Sequence, residues 1–202
     1  MPRRPTRTVP TVLLPGIAQA GTAQAGTAQD WPYWLADRLT SAGREIRIAG
    51  LAPAELAGSL GVLRDTLAGL PADGFDVLAH SASCLLWLHH VADSQAVSNS
   101  PRPARVALVA PPAPGSTPVD WNFLLPVPLD VDALRRAAEG TVLVGADNDP
   151  YCPGGVAAVY GAPLKMAATV ITSAGPLTAG SGYGPWPAVL DWCGRDNLAF
   201  LA

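Results

Sequence analysis

The sequence predicts one three-layer α/β domain, with a mostly parallel sheet of about six strands and helices on both of its faces. Short apolar segments of strand length alternate along the chain with longer segments of helical period. The 202 residues are enough for one such domain, to which we assign residues 1–202. Apolar residues make up 49% of the chain and charged residues 14%, a balance that favours a packed core over disorder.

The first half of the chain is predicted to contain three strands and three helices. Residues 1–8 are expected to be disordered, and residues 18–29 are expected to form a low-complexity surface loop with a five-residue repeat. The predicted strands are Thr11 to Leu14, Arg44 to Ala49 and Phe75 to Ala79. The predicted helices are Trp31 to Ala42, Ala54 to Leu70 and Ala82 to Val91.

The second half continues the same alternation. Ser94 to Arg102 is predicted to be a polar linker, and Pro111 to Pro128 an irregular loop that could cover a pocket. The predicted strands are Val106 to Ala110, Thr141 to Ala146 and Thr169 to Thr172, and the predicted helices are Val131 to Glu139 and Pro187 to Leu201. In such sheets ligands bind at the carboxyl ends of the strands, so the site is expected there.

Composition excludes several classes of function. A formal net charge of −3 provides no basic field for nucleic acid. No apolar run approaches membrane-spanning length, and the N-terminal apolar stretch is too short for a secretory signal. Three cysteines without a CxxC spacing form neither a disulfide framework nor a zinc site, and we expect Cys84 and Cys152 to be buried small hydrophobes. We expect a cytoplasmic protein without metal or other cofactor, and we allow for a homodimer.

Ser81 is the candidate nucleophile, because it stands between a predicted strand and a predicted helix. Ala79 and Ser83 beside it are small, as the tight strand–turn–helix elbow of a serine hydrolase requires. The alternative is an ordinary serine at a helix N-cap. An elbow would turn the backbone N–H of Ala82 towards a ligand. A second N–H, from Ile17 or its neighbour, would complete an oxyanion hole.

Asp149 is the candidate acid, because it follows the predicted strand that ends at residue 146, and Asp147 is its close competitor. In hydrolases with this chain order a histidine follows the acid. The last of the three histidines here is His90. His80 is expected to point in a different direction from the adjacent serine, while His89 and His90 are expected to pack in the next helix or lie on its surface.

Several motifs follow one another in a fixed order. They are Leu14-Pro15-Gly16, Trp31 with Trp34, Ala79 to Ser83, Asp147 to Tyr151, Gly175-Pro176 and Ser181-Gly182-Tyr183-Gly184-Pro185-Trp186-Pro187. Together they resemble the small serine hydrolases of α/β-hydrolase fold that are related to retinoblastoma-binding protein nine and bacterial YdeN. The resemblance spans nearly the whole chain and implies an α/β-hydrolase-like fold with its pocket at the elbow. In that pattern the place of the catalytic histidine is Pro176, so the resemblance implies an incomplete triad.

Three functions remain open. The first is an enzyme of non-standard chemistry, such as cyclisation, elimination or rearrangement of a small carbonyl metabolite, with Asp149, Asp147 or Asp30 moving a proton. An Ala-, Gly- and Pro-rich composition hints at a high-GC bacterium, where specialised metabolism is common. The second is a weak serine hydrolase or esterase that uses Ser81 without a triad histidine. The third is a non-catalytic pseudohydrolase that binds a ligand or a partner.

Aromatic residues are the candidates for substrate binding. An apolar or aromatic carbonyl compound is the expected ligand, and the residues expected to contact it are Trp31, Trp121, Tyr151 and Tyr183. A second group is expected to build the core, namely Trp34, Trp87 and Trp192.

Overall fold

The structure, a computed structural model, describes residues 8–16, 30–51, 55–72, 74–116 and 119–195. The predictions for residues 1–7, for the loop 18–29 and for Ile17 lie outside the described residues. Within the described ranges, no helix is long and apolar enough to cross a membrane.

A single parallel sheet organises the chain. Its strands are β1 (Thr11–Leu14), β2 (Ile46–Ile48), β3 (Asp76–His80), β4 (Arg105–Val109), β5 (Gly140–Ala146) and β6 (Ala168–Ile171). They lie in the order β2-β1-β3-β4-β5-β6, and all five neighbouring pairs are parallel. Strands β1, β3 and β4 are buried along their whole length, which explains their continuous apolar sequence. The predicted six-strand sheet is confirmed, with β2 shorter than predicted.

Helices cover both faces of this sheet, as predicted. They are α1 (Trp31–Ser41), α2 (Leu56–Leu67), α3 (Ala82–Ala92), α4 (Ser94–Ser98), α5 (Val131–Ala137), α6 (Ala162–Leu164) and α7 (Pro187–Gly194). Helices α1 and α7 pack on one face around Trp31 and Trp192. Helices α2, α3 and α5 pack on the other face around Leu63 and Trp87. The predicted core tryptophans Trp87 and Trp192 are buried, while Trp34 is partly buried.

Three predictions of secondary structure were wrong. The predicted linker after α3 contains α4, because the Asp93 side chain accepts hydrogen bonds from two backbone N–H groups and caps a helix. The predicted loop before residue 128 contains a 3₁₀ helix, Val119–Leu124. The closing helix ends at Gly194 rather than Leu201, since Arg195 is extended and its carbonyl accepts a hydrogen bond from the Arg105 guanidinium. A π-helical turn, Ala157–Gly161, precedes α6 and was not predicted.

A buried ion pair ties α7 to the amino-terminal edge of the sheet. Arg105, the first residue of β4, binds both carboxylate oxygens of Asp76, the first residue of β3. Its guanidinium lies 4.1 Å from the centroid of the Trp192 ring and donates to the Trp192 carbonyl. Arg44 lies beside the same carboxylate, at 4.0 Å. These contacts fix the end of the sheet opposite the predicted site.

Candidate active site

Ser81 occupies a strained turn between β3 and α3. Its backbone has φ 55° and ψ −129°, a conformation that residues with a Cβ rarely adopt. An ordinary N-cap serine has an extended backbone, and its hydroxyl accepts a hydrogen bond from the first turn. Ser81 has neither feature, since its side chain makes no capping hydrogen bond. The geometry is that of the predicted elbow and not of an N-cap.

Three contacts hold this elbow in place. The Ser81 N–H donates to the Val109 carbonyl at the end of β4, 2.9 Å away. The buried Ser83 hydroxyl donates to the Pro15 carbonyl in the segment after β1, at 2.5 Å. Gly16 lies so close that a Cβ placed on it would be 2.9 Å from the Ser81 Cβ. In the sequence, the close approach of Gly16 to Ser81 is indicated only by the motif Leu14-Pro15-Gly16.

Ala82 presents the one predicted oxyanion donor that the structure describes. It is the first residue of α3, so its backbone N–H has no partner within the helix. The other predicted donor, Ile17, lies outside the described residues. A carbonyl oxygen bound beside Ser81 therefore has at least one backbone N–H within the elbow itself.

The two candidate acids lie in different environments. Asp149 is buried, with 4% of its surface exposed, and accepts a hydrogen bond from the Tyr151 N–H at 2.9 Å. Burial raises the pKa of its carboxyl above the usual range, and the single hydrogen bond only partly offsets this. Asp147 is exposed, and its carboxylate accepts the Ser173 N–H at 2.7 Å. Asp149 is thus a buried carboxyl and Asp147 an exposed one that braces a loop, and which of them serves as the triad acid stays a prediction.

The loop of residues 173–179, which follows β6, is held by polar side chains from distant parts of the chain. Asn148 accepts the Gly175 N–H at 2.7 Å, and Asp30 accepts the Ala179 N–H at 2.9 Å. Pro176 lies half-buried in this loop. These braces were not predicted from the sequence, which offered Asp30 only as one of three carboxylates that could move a proton; that role stays a prediction.

His80 points towards this loop. Its Nε2 lies 3.2 Å from the Pro176 carbonyl oxygen, and only 5% of the residue is exposed. Its ring meets the edge of the Trp31 ring with centroids 5.4 Å apart. Burial lowers the pKa of this imidazole, although the hydrogen bond to Pro176 and the charge of Asp30 act in the opposite direction. His80 is therefore neutral at neutral pH.

The four aromatic residues predicted to bind substrate form two separate pairs. The backbone N–H of Trp31 donates to the Tyr183 carbonyl, and the rings of both residues contact Trp186, with centroids 5.5 and 5.0 Å from its ring. Trp121 contacts Tyr151, the residue two after the candidate acid, at 6.2 Å between ring centroids. Trp31 has no exposed surface, so its ring forms the wall behind His80. The role of these rings in substrate binding stays a prediction.

The other nucleophilic and basic groups are the cysteines and the two histidines of α3. All three cysteines are buried, as predicted for Cys84 and Cys152, and burial raises the pKa of Cys152 to about 11, so it stays a thiol. His89 contacts the Leu124 carbonyl at 2.9 Å, and burial lowers the pKa of His90 to about 4. Among the residues that the structure describes, no cluster of three or more His, Cys, Asp or Glu side chains could hold a metal ion.

Comparison with known proteins agrees with the fold described above. Solved structures of low identity share the fold. The ydeN gene product of B. subtilis is 16% identical, with a TM-score of 0.67 over 92% of this chain and 96% of that chain. A YdeN-like hydrolase from Pectobacterium atrosepticum is 21% identical, with a TM-score of 0.58 over 91% of this chain and 88% of that chain. An α/β-superfamily hydrolase from Xanthomonas campestris is 14% identical, with a TM-score of 0.55 over 92% and 97%.

At the level of sequence, no curated protein matches the chain. A family model does: the model described as serine hydrolase matches residues 12–194, from the first strand to the last helix. That range includes the elbow, the buried carboxyl and the loop after β6. The chain therefore belongs to the serine hydrolase family.

Proposed function

We propose that this chain is a slow serine hydrolase whose Ser81 attacks the carbonyl carbon of a small apolar or aromatic compound. One observation carries the proposal: Ser81 keeps a Cβ and a hydroxyl at φ 55°. Such a backbone costs a non-glycine residue roughly 1–3 kcal/mol, and glycine would adopt it without strain. Strained backbone conformations cluster at functional sites, and this one lies at the strand–turn–helix elbow where a serine hydrolase carries its nucleophile, which supports use of the Ser81 hydroxyl.

The chemistry follows from the groups at the elbow. The Ser81 oxygen would add to the carbonyl carbon, and the Ala82 N–H would bind the developing oxyanion. The sequence supplies no histidine beyond residue 90, so the family's usual proton acceptor after β6 is missing at Pro176. Loss of a triad member leaves only roughly 10³–10⁴-fold acceleration over water, which is why we propose slow turnover. We place the reaction in the cytoplasm, with no cofactor.

Asp149 supports a second candidate function. Burial raises the pKa of its carboxyl above the usual range, which favours a role in accepting and returning a proton. With the carbonyl polarised by the Ala82 N–H, this carboxyl could drive a cyclisation, elimination or rearrangement that needs no covalent bond to Ser81. Turnover in this case would depend on Asp149 and survive the Ser81→Ala substitution.

A fluorophosphonate probe tests the first proposal, because it bonds covalently to an activated serine. We expect one adduct per molecule of wild-type protein, located at Ser81 by mass spectrometry of peptides. The Ser81→Ala variant should show no adduct. Ser98→Ala is the matched control, since Ser98 is exposed in α4 and should not affect labelling. No adduct on the wild-type protein at high probe concentration would reject the hydrolase and favour a pseudohydrolase or the Asp149 reaction.

A further inference from the structure

His80, the last residue of β3, lies close to Gly16, as Ser81 does. A Cβ placed on Gly16 would be 2.9 Å from the Ser81 Cβ and 3.4 Å from the His80 Nδ1. Both atoms thus border the same small space, which stays open only because residue 16 is glycine. His80 was expected to point in a different direction from Ser81, and its Nε2 does face the Pro176 carbonyl, while its Nδ1 borders the space beside Gly16.

The far ring nitrogen fixes which tautomer His80 adopts. The Pro176 carbonyl can only accept a hydrogen bond, so Nε2, 3.2 Å away, must carry the proton of the neutral ring. Nδ1 is then unprotonated and can accept a proton, and it is the ring nitrogen that lies 3.4 Å from the position a Cβ on Gly16 would take. A carboxylate fixes the tautomer of a triad histidine in the same way.

The loop that supplies this carbonyl is braced on both sides. Asp147 and Asn148 accept backbone N–H groups before Pro176, and Asp30 accepts one after it. The carbonyl oxygen of Pro176 is therefore held at a defined position. In the family pattern that this chain resembles, Pro176 stands in the place of the histidine. Its backbone carbonyl would thus orient His80 on β3.

On the basis of this geometry, we propose that His80 Nδ1 is the general base for Ser81, directly or through one water molecule. In the attack, the Ser81 O–H bond breaks, the new Oγ–carbon bond forms, and the proton moves to Nδ1. The resulting imidazolium still donates Nε2–H to Pro176, and among the described residues Asp30 is the charged group that acts on it. The proton then passes to the leaving group as its bond to the acyl carbon breaks.

This inference rests on the proposed function, and the fluorophosphonate reaction tests the two separately. In that reaction the Ser81 oxygen bonds to phosphorus, fluoride leaves, and the serine proton goes to the base. We expect His80→Gln to lower the labelling rate by roughly 10²–10⁴-fold, the usual contribution of a general base. Glutamine keeps an N–H that can reach the Pro176 carbonyl, so a purely structural role would be rescued.

His89→Gln is the matched control, because His89 makes the same kind of contact, from Nε2 to a backbone carbonyl, 2.9 Å from Leu124. It should label at the wild-type rate. If the wild-type protein is labelled at Ser81 and folded His80→Gln is labelled equally fast, the role of His80 is refuted while the hydrolase stands. If the wild-type protein is not labelled, the proposed function itself fails.

A second measurement needs no variant. ¹⁵N NMR of the histidine rings distinguishes a protonated from an unprotonated nitrogen. We expect the His80 ring at neutral pH to carry its proton on Nε2 and none on Nδ1. A proton on Nδ1 would leave that nitrogen unable to accept the serine proton and would overturn the inference even if labelling is observed.

Discussion

Glycine usually makes a folded protein less stable than alanine does, and the strain at Ser81 predicts the opposite order at this position. Ser81→Ala and Ser81→Gly both remove the hydroxyl, but only glycine removes the Cβ that disfavours φ 55°. The released strain is roughly 1–3 kcal/mol, and the greater freedom of glycine in the unfolded chain offsets roughly 0.5–1 kcal/mol of it. Ser81→Gly should therefore be more stable than Ser81→Ala by about 0.5–2 kcal/mol.

Equilibrium unfolding in urea measures this difference, and thermal unfolding provides a check, at about 2–4 °C per kcal/mol for a chain of this size. The control pair is Ser98→Ala and Ser98→Gly, because Ser98 is exposed and lies in α4. There glycine should be the less stable variant, by up to about 1 kcal/mol. If Ser81→Gly is no more stable than Ser81→Ala, the elbow is not strained and the reasoning behind the proposed function is refuted.

Three further predictions concern the buried carboxyl of Asp149, the buried ion pair at the opposite end of the sheet, and Gly16. Burial raises the folded-state pKa of Asp149, so ionisation of its carboxyl costs stability. Asp149→Asn should therefore be more stable than wild type in urea unfolding at pH 7. The gain in stability should vanish below about pH 3.9, where the carboxyl is protonated in the unfolded chain as well. Asp76→Asn should cost about 3–5 kcal/mol, because it removes the carboxylate charge that pairs with the buried Arg105 guanidinium. Asp191→Asn, in an exposed pair, should cost at most about 1 kcal/mol, and equal losses would contradict this prediction. Gly16→Ala should slow fluorophosphonate labelling at least tenfold, since the new Cβ displaces the serine; an unchanged rate would argue against the close approach.

The sheet and the elbow could be predicted because their signals are local. An apolar strand, small residues around Ser81 and an apolar helix stand next to one another in the sequence. Asp149 follows its strand in the same way. Helix α4 was missed because its sequence is polar and its stability comes from the capping side chain of Asp93.

The loop after β6 could not be predicted, because its contacts join residues far apart in the chain. Asp30 and Ala179 are separated by 149 positions, and His80 and Pro176 by 96. No period or spacing reports such a pair. The same holds for Gly16, whose closeness to the serine depends on how β1 and β3 lie side by side. The orientation of His80 therefore emerged only from the folded chain.

A crystal structure of the phosphonate adduct tests the account most directly. We expect phosphorus bonded to the Ser81 Oγ, with the phosphonyl oxygen about 2.7–3.1 Å from the Ala82 nitrogen. An adduct on any other residue, or a phosphonyl oxygen directed away from Ala82, would contradict the claim that this elbow holds a working nucleophile.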